Sequence, residues 1–318
     1  MIENTGMPID SEDVLVVRKL SGWEYSKKLY NLDDEQLKKW YLKNHQDLER
    51  MLSSHNIQME SVKTVTRTVG DIPILTIEDI NHQVVNRAKL VVVLGGDNFF
   101  QQVSHFVHTP LMLGINTDPA KSEAEALPFT DKSFAKIWPK IQAGHYYFIK
   151  WTRLEAAVNG VQIPYLAASE AALASSHPFG MSRYIVEYRG VKEELKNTGI
   201  NVATGLGSTG WTHSVNSCPH KEGPTFSKDQ VVAFFHVREK FYSKILRQRL
   251  DEGYLEEGEV LRITWIHHFP GLLGVDPTPY EEFVYLNRVI NMGDVVTVRI
   301  SDHPLTIIKE EDRSEKAS

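Results

Sequence analysis

Residues 89–100 read KLVVVLGGDNFF. Leu90 to Leu94 are consecutive apolar residues, too short a run for an independent helix and rich in β-branched side chains, which predicts a strand buried on both faces. Gly95 and Gly96 follow, then Asp97 and Asn98. Paired glycines let the backbone turn sharply and leave its N–H groups free to face an anion, and the apolar residues after Asn98 predict that a helix N-terminus comes next. Such a turn puts Asp97 at the carboxyl end of a parallel sheet, where open α/β folds bind ligands. A plain strand-to-helix turn would read the same way, so this stretch alone leaves both readings open.

On the amino-terminal side, Asp13–Leu20 reads as a strand, and Asp33-Asp34-Glu35 caps a helix over Gln36–Ser53. Ser61–Thr68 alternates like a strand, and Ile77–Arg87 looks like a second helix. On the other side, Asn98–His108 can form a helix and Leu111–Ile115 another buried strand. Alternating β and α segments imply a Rossmann-like parallel sheet with right-handed crossovers. The turn at Asn116-Thr117-Asp118-Pro119 and a helix over Asp131–Gln142 end this pattern. Short alternating segments then dominate: Tyr146–Val158, Val161–Ala167, Arg183–Tyr188, Ile200–Ala203, Val231–Glu239, Val260–His267, Glu282–Leu286 and Val295–Ile300. Asn159-Gly160 signals a hairpin between the first two, and Lys192–Lys196 reads as a solvated loop. The expected organisation is an α/β domain over 1–140, a β-rich, β-sandwich-like domain over 141–308, and a charged, disordered tail over 309–318.

A net charge of −6 over 318 residues argues against nucleic-acid backbone binding as the main activity. The single cysteine, Cys218, excludes an internal disulfide and fits a reducing compartment. There is no apolar run of membrane length, and the acidic first residues lack the order of a signal or transit peptide, so a cytoplasmic location is expected. His213, Cys218 and His220 lie close together without a paired metal motif, and His267-His268 would face opposite sides of a strand; no metal site is assigned. His105 and His108 would share a helix face near the glycine turn, where packing is the preferred role.

A second glycine cluster spans Asn201–Asn216, NVATGLGSTGWTHSVN. Gly205, Gly207 and Gly210 make the backbone adaptable, Thr204, Ser208, Thr209 and Ser214 supply hydroxyls that can reach ribose, phosphate or base edges, and Trp211 offers an aromatic surface. With both clusters in view, the chain resembles the NAD kinase family, closest to its mitochondrial type. The family's GGDG, G-[IV]-N, Asn-Glu, T-x-T-G-S-[TK]-[AG]-[YW] and G-D-x-V-x-[VI] segments appear in order as Gly95–Asn98, Gly114-Ile115-Asn116, Ser169-Glu170, Thr204–Trp211 and Gly293–Val298. Thr117-Asp118-Pro119 and Trp211 match the mitochondrial type in particular. The chain departs from the pattern at Asn98 for Gly, Phe99 for Thr, Ser169 for Asn and Thr198 for an acidic residue.

The resemblance implies Asp97 as the acid–base residue that orients or deprotonates the adenosine ribose 2′-hydroxyl of NAD. It implies Gly95, Gly96, Asn98 and Asn116 around the donor phosphates, and Ser169, Glu170, Thr204, Ser208, Thr209, Gly210, Trp211 and Ser214 around NAD. ATP with Mg²⁺ is the implied donor, and a homodimer or larger homo-oligomer the implied assembly, with no nucleic-acid or membrane partner. A secondary hydroxyl is a poor nucleophile until a carboxylate aligns it with the γ-phosphate, so the residue type suits the chemistry. Two other readings fit the same glycine turn: a kinase acting on a lipid or sugar hydroxyl, and a nucleotide-binding protein without turnover.

Overall fold

The computed structural model describes residues 6–70, 72–177, 179–216, 224–241, 249–276 and 287–309. Contacts divide the chain into two units: one runs to Ile149 and takes back the chain from Thr306, and the other is Lys150–Leu305.

The first unit opens with β1 (Val14–Arg18), followed by α1 (Gly22–Tyr30), α2 (Asp34–Lys43) and α3 (Leu48–Val69). After them come β2 (Ile74–Leu75), α4 (His82–Val85), β3 (Leu90–Gly95), α5 (Asp97–Ser104), β4 (Leu111–Asn116), α6 (Asp131–Gln142) and β5 (Tyr147–Trp151). The last strand of the chain, which ends at Lys309, enters this sheet between β4 and β5, giving the order β2-β1-β3-β4-last-β5. β3 pairs in parallel with both β1 and β4, and every one of its residues is buried, as its unbroken apolar run requires. Val65 and Val69 of α3 and Phe134, Trp138 and Ile141 of α6 cover this sheet in a single core.

Three segments differ from expectation here. Ser61–Thr68 is the second half of α3, not a strand. The buried residues Ser61, Val65 and Val69 recur at four-residue intervals, and the hydroxyls of Thr64, Thr66 and Thr68 donate to carbonyls one turn back, so packing overrides β-branched propensity. The expected single helix over Gln36–Ser53 is two, broken where His45 takes a left-handed conformation and Asp47 caps α3 through the N–H of Arg50. Ile77–Arg87 holds only a 3₁₀ turn and the short α4, which Asn81 caps.

The second unit contains β6 (Leu154–Val158), β7 (Val161–Gln162), β8 (Glu170–Ser175), β9 (Ser182–Tyr188), β10 (Val191–Asn197), β11 (Gly199–Ala203), α7 (Gly205–Ser208) and α8 (Trp211–Asn216). It continues with β12 (Val232–Arg238), β13 (Glu252–Glu256), β14 (Val260–Trp265), β15 (Gly271–Val275), β16 (Asn287–Ile290) and β17 (Val295–Ile300); the strand returned to the first unit is β18 (Leu305–Lys309). Two antiparallel sheets, β10-β9-β14-β17-β6-β7 and β13-β12-β11-β8-β15-β16, close over one core. Along β11, Ile200 and Val202 enter that core, while Asn201 and Ala203 occupy the opposite face. The predicted hairpin at Asn159-Gly160 joins β6 to β7, with both residues at positive φ (52° and 80°) as a type I′ turn needs.

Lys192–Lys196, expected as a loop, is β10, an edge strand that pairs along its whole length with β9 and buries Leu195 and Asn197. Lys192, Glu194 and Lys196 share one face of the strand, while Glu193 lies on the face of Leu195 and accepts the N–H groups of Arg249 and Leu250. The expected division near residue 140 falls inside α6, whose apolar face covers the parallel sheet. Lys309, expected in the tail, ends β18; the rest of the tail, the strand expected over Glu282–Leu286, Cys218 and His220 lie outside the described residues.

Candidate functional site

In the first unit, β3 ends at Gly95, Gly96 is the N-cap of α5, and Asp97 is its first residue, so the predicted strand, turn and helix are all present. The glycines serve by leaving space. Gly96 is extended (φ −136°, ψ −179°), and Asn98 is not among the left-handed residues, so Asn98 fits the turn without special geometry. A Cβ at Gly95 would lie 3.0 Å from Phe99 Cδ1 and 3.3 Å from Lys19 Cβ. Phe99 is thus a buried prop beneath the turn, where the family pattern has a hydroxyl. A Cβ at Gly96 would meet only Ser122 Oγ, at 3.8 Å, because this edge of the backbone faces a pocket of about 330 Å³.

That pocket brings together Gly95, Gly96, Asp97, Asn98 and Asn116, as the sequence predicts, with Asp118 of the T-D-P turn and with Lys19 and Lys121, which it did not single out. Lys19 follows β1, and its backbone N–H donates to Leu94 O, so parallel pairing with β3 delivers its side chain to the glycine turn. Desolvation there lowers the pKa of its ammonium group. Asp97 is the N1 residue of α5, where a carboxylate is favoured by the helix dipole. Its Oδ1 accepts the N–H of Ala126 at 2.7 Å and its Oδ2 that of Glu125 at 3.1 Å, which ties the loop after the T-D-P turn to the glycine turn. Each oxygen keeps a further lone pair. Asn116 accepts from Asp118 N–H and donates to Ser122 O, and Ser54 of α3 donates to Asp118 Oδ2. Asn116 therefore shapes the pocket wall. His105 and His108 are not among the pocket's lining residues: His105 is buried as the C-cap of α5, and the ring of His108 stacks on His82.

In the second unit, the glycine-rich segment is a capped turn. Thr204 Oγ1 accepts from Leu206 and Gly207 N–H and donates to Ala168 O, and its N–H donates to Ser169 O. Ser208 Oγ bridges Gly205 O and the N–H of Phe226. These two buried hydroxyls fasten the turn to β8 and to the chain ahead of β12, which is a structural use of the hydroxyl density noted in the sequence. Thr209 and Ser214 are exposed, and each hydroxyl donates to a carbonyl one turn back. Trp211 is half-buried with the Arg238 guanidinium 4.8 Å from its ring centroid.

Ser169 and Glu170 sit against this turn: a Cβ at Gly207 would lie 2.5 Å from Ser169 O and 2.6 Å from Glu170 Oε2, so only glycine fits. Ser169 Oγ donates to Glu170 Oε2 at 2.9 Å. Burial, reinforced by the nearby charge of Asp276 and partly offset by the Ser169 hydroxyl, pushes the Glu170 carboxyl up to about 8. Asp276 and Arg153, both buried and missed in the sequence, belong to this cluster. Among the described residues, no group of three or more His, Cys, Asp or Glu is placed to hold a metal ion, and no helix is long and apolar enough to cross a membrane.

No family model matches the chain. A curated relative, the probable NADH kinase of Oryza sativa subsp. japonica, is 21% identical over 243 residues, covering 70% of each chain. The structure is similar to an NAD kinase from Archaeoglobus fulgidus in complex with ATP, at 15% identity and a TM-score of 0.63 over 96% of each chain. It is also similar to yeast NADH kinase complexed with NADH, at 17% identity and a TM-score of 0.60 over 76% of this chain and 68% of that one. The resemblance to the NAD kinase family read from the ordered motifs, and the two-part fold it implied, are both borne out by these relatives.

Proposed function

We propose that this chain is a kinase that transfers the γ-phosphoryl group of ATP to the adenosine ribose 2′-hydroxyl of NAD or NADH. The observation that carries the reading is the pocket at the Gly95-Gly96-Asp97 turn: helix N-terminus, unsubstituted backbone, two lysines and two carboxylates in one concavity. Backbone N–H groups and lysines suit a polyphosphate, and Asp97 supplies the acceptor for a hydroxyl proton. The relatives named for NAD and NADH kinase activity support the acceptor. Mg²⁺ would arrive with ATP and neutralise its phosphate charge; Asp97 and Asp118 are the pocket carboxylates that fit beside it, and both are already oriented by hydrogen bonds.

The test is direct. The protein is incubated with ATP, Mg²⁺ and NAD, and in parallel with NADH, and the phosphorylated product is measured with an NADP-specific dehydrogenase. NADP or NADPH must form; no product together with unchanged ATP would sink the proposal, and ATP consumed on another hydroxyl would redirect it.

Gly96→Ala probes the pocket without disturbing the fold. Its φ and ψ suit any residue and the new methyl meets nothing closer than 3.8 Å, so the melting temperature is expected to hold or rise slightly. The methyl would nevertheless stand where phosphate oxygens approach the backbone. ATP affinity should fall about tenfold or more, the equivalent of one charge-assisted hydrogen bond. Unchanged ATP binding by calorimetry would remove the phosphates from this pocket.

A further inference from the structure

Asp276 follows β15 in a left-handed conformation, φ 44°, and is buried. Its carboxylate spends three acceptor positions on one turn: Oδ2 takes Ala168 N–H at 2.8 Å, and Oδ1 takes Ser169 N–H at 2.8 Å and Glu170 N–H at 2.9 Å. Its own N–H donates to Glu170 O at 2.8 Å. Four hydrogen bonds from one residue therefore fix the backbone that carries Glu170, and Glu170 Oε2 in turn lies against Gly207 in the glycine-rich turn.

The charges in this cluster do not balance in pairs. Arg153 is a fully buried cation whose Nε donates to His303 O, and Asp276 is the carboxylate whose charge favours its ionised form. Among the described residues of this unit, the buried charged side chains are Arg153, Asp276 and Glu170, one cation to two carboxyl groups. Among the described residues, the groups packed around Glu170 besides Asp276 do not titrate: β11 and α7 contribute Ala203 and Gly207, and the chain before α7 and before β8 contributes Thr204 and the Ser169 hydroxyl. An uncompensated buried carboxyl group takes a proton instead of a charge.

We propose that Asp276 is a positioning residue that holds Glu170 against the glycine-rich turn as a neutral carboxylic acid, so that Glu170 offers an O–H donor to a ribose hydroxyl of the acceptor dinucleotide. This rests on the NAD(H) kinase reading for the identity of the ligand, but not for the protonation of Glu170. The neutral acid both donates and accepts, which suits a hydroxyl that also does both. The carboxyl pushed up to about 8 follows from the same burial, and ionisation above that value would remove the donor.

The experiment is NAD titration of the full protein by calorimetry, without ATP, from pH 6.5 to pH 9.5. Loss of one proton-dependent donor near pH 8 predicts binding about tenfold weaker at pH 9 than at pH 7. Glu170→Gln, whose amide stays neutral, should flatten the profile. Asp276→Asn removes the charge that favours the Glu170 proton, so its break should move to lower pH; a purely structural role for Asp276 would weaken binding evenly across the range. Infrared difference spectra of wild type against Glu170→Gln at pH 7 supply a readout that needs no ligand and survives a poorly folding Asp276 variant. A protonated-carboxyl band lost in Glu170→Gln supports the proposal. Its absence, or a wild-type binding profile that is flat or shared by Glu170→Gln, overturns it. The band without NAD binding at any pH would overturn the dinucleotide reading and keep the neutral Glu170.

Discussion

Asp97→Asn is expected to lose NADP formation by about 10²-fold to 10⁴-fold, the range supplied by a well-placed proton acceptor, while NAD binding survives. The structure makes this substitution more informative than Asp97→Ala. Both carboxylate oxygens of Asp97 hold N–H groups of the following loop, those of Ala126 and Glu125. Alanine would release both donors and let the loop that shapes the pocket move. Asparagine keeps one oxygen, but its amide NH₂ then confronts the other N–H, at a cost of about 1–3 kcal/mol for the unsatisfied donor. In a two-unit protein of this size that amounts to a drop of a few degrees in melting temperature. A rate loss far beyond such a stability loss, with the NAD isotherm retained, assigns the effect to proton acceptance; substantial turnover in Asp97→Asn would refute that role. The comparison matters because the carboxylate already has a structural duty, and a simple loss of activity in a disordered pocket would prove nothing about chemistry.

The central turn was legible because its signals are local. A run of β-branched residues too short for a helix, two glycines and an N1 aspartate lie within one octapeptide, and the structure realises each in place. The Asn159-Gly160 hairpin was legible for the same reason. Reading failed where the deciding partner is remote. Ser61–Thr68 has the composition of a strand, yet its one buried stripe faces a sheet that no local pattern announces. Lys19 is an ordinary lysine after a strand until β1 pairs in register with β3. The hydroxyls of Thr204 and Ser208, expected around NAD, also bond carbonyls and N–H groups around the turn they occupy, a structural duty that residue type alone does not reveal. Phe99, which stands where the family pattern has Thr, fills the space that Gly95 leaves open. Most hidden of all were Asp276, which reaches Glu170 only through the folding of the β-sandwich, and Arg153, on which Asp276 acts; neither belongs to a motif, and burial of charge is invisible in a linear sequence.

A loss of stability is also expected at the hidden Arg153. Arg153 is among the largest fully buried side chains, and burial lowers its guanidinium to about 10 while Asp276 works in the opposite direction. Arg153→Met keeps most of the apolar stem and deletes the charge. His303 O then loses the Nε donor, and Asp276, whose carboxylate still accepts three backbone N–H groups, loses the influence of the guanidinium. Deleting a buried cation and leaving the His303 carbonyl without its donor costs about 1–3 kcal/mol. The melting temperature of the variant should fall by about 2–4 °C for each kcal/mol. Between pH 6 and pH 9 Arg153 is charged in the folded and the unfolded chain alike, so this loss should not vary with pH in that window. Adding Asp276→Asn removes the charge that acts on Arg153, and the double variant should therefore lose less stability than the sum of the two single losses. Strictly additive losses in the double-mutant cycle would show that the two charges do not communicate. The cycle also bears on Glu170. In Arg153→Met the full charge of Asp276 acts on its neighbour, so the pH break in NAD binding should rise, the reverse of the shift expected for Asp276→Asn, and opposite shifts from two substitutions that both destabilise the unit cannot come from destabilisation itself.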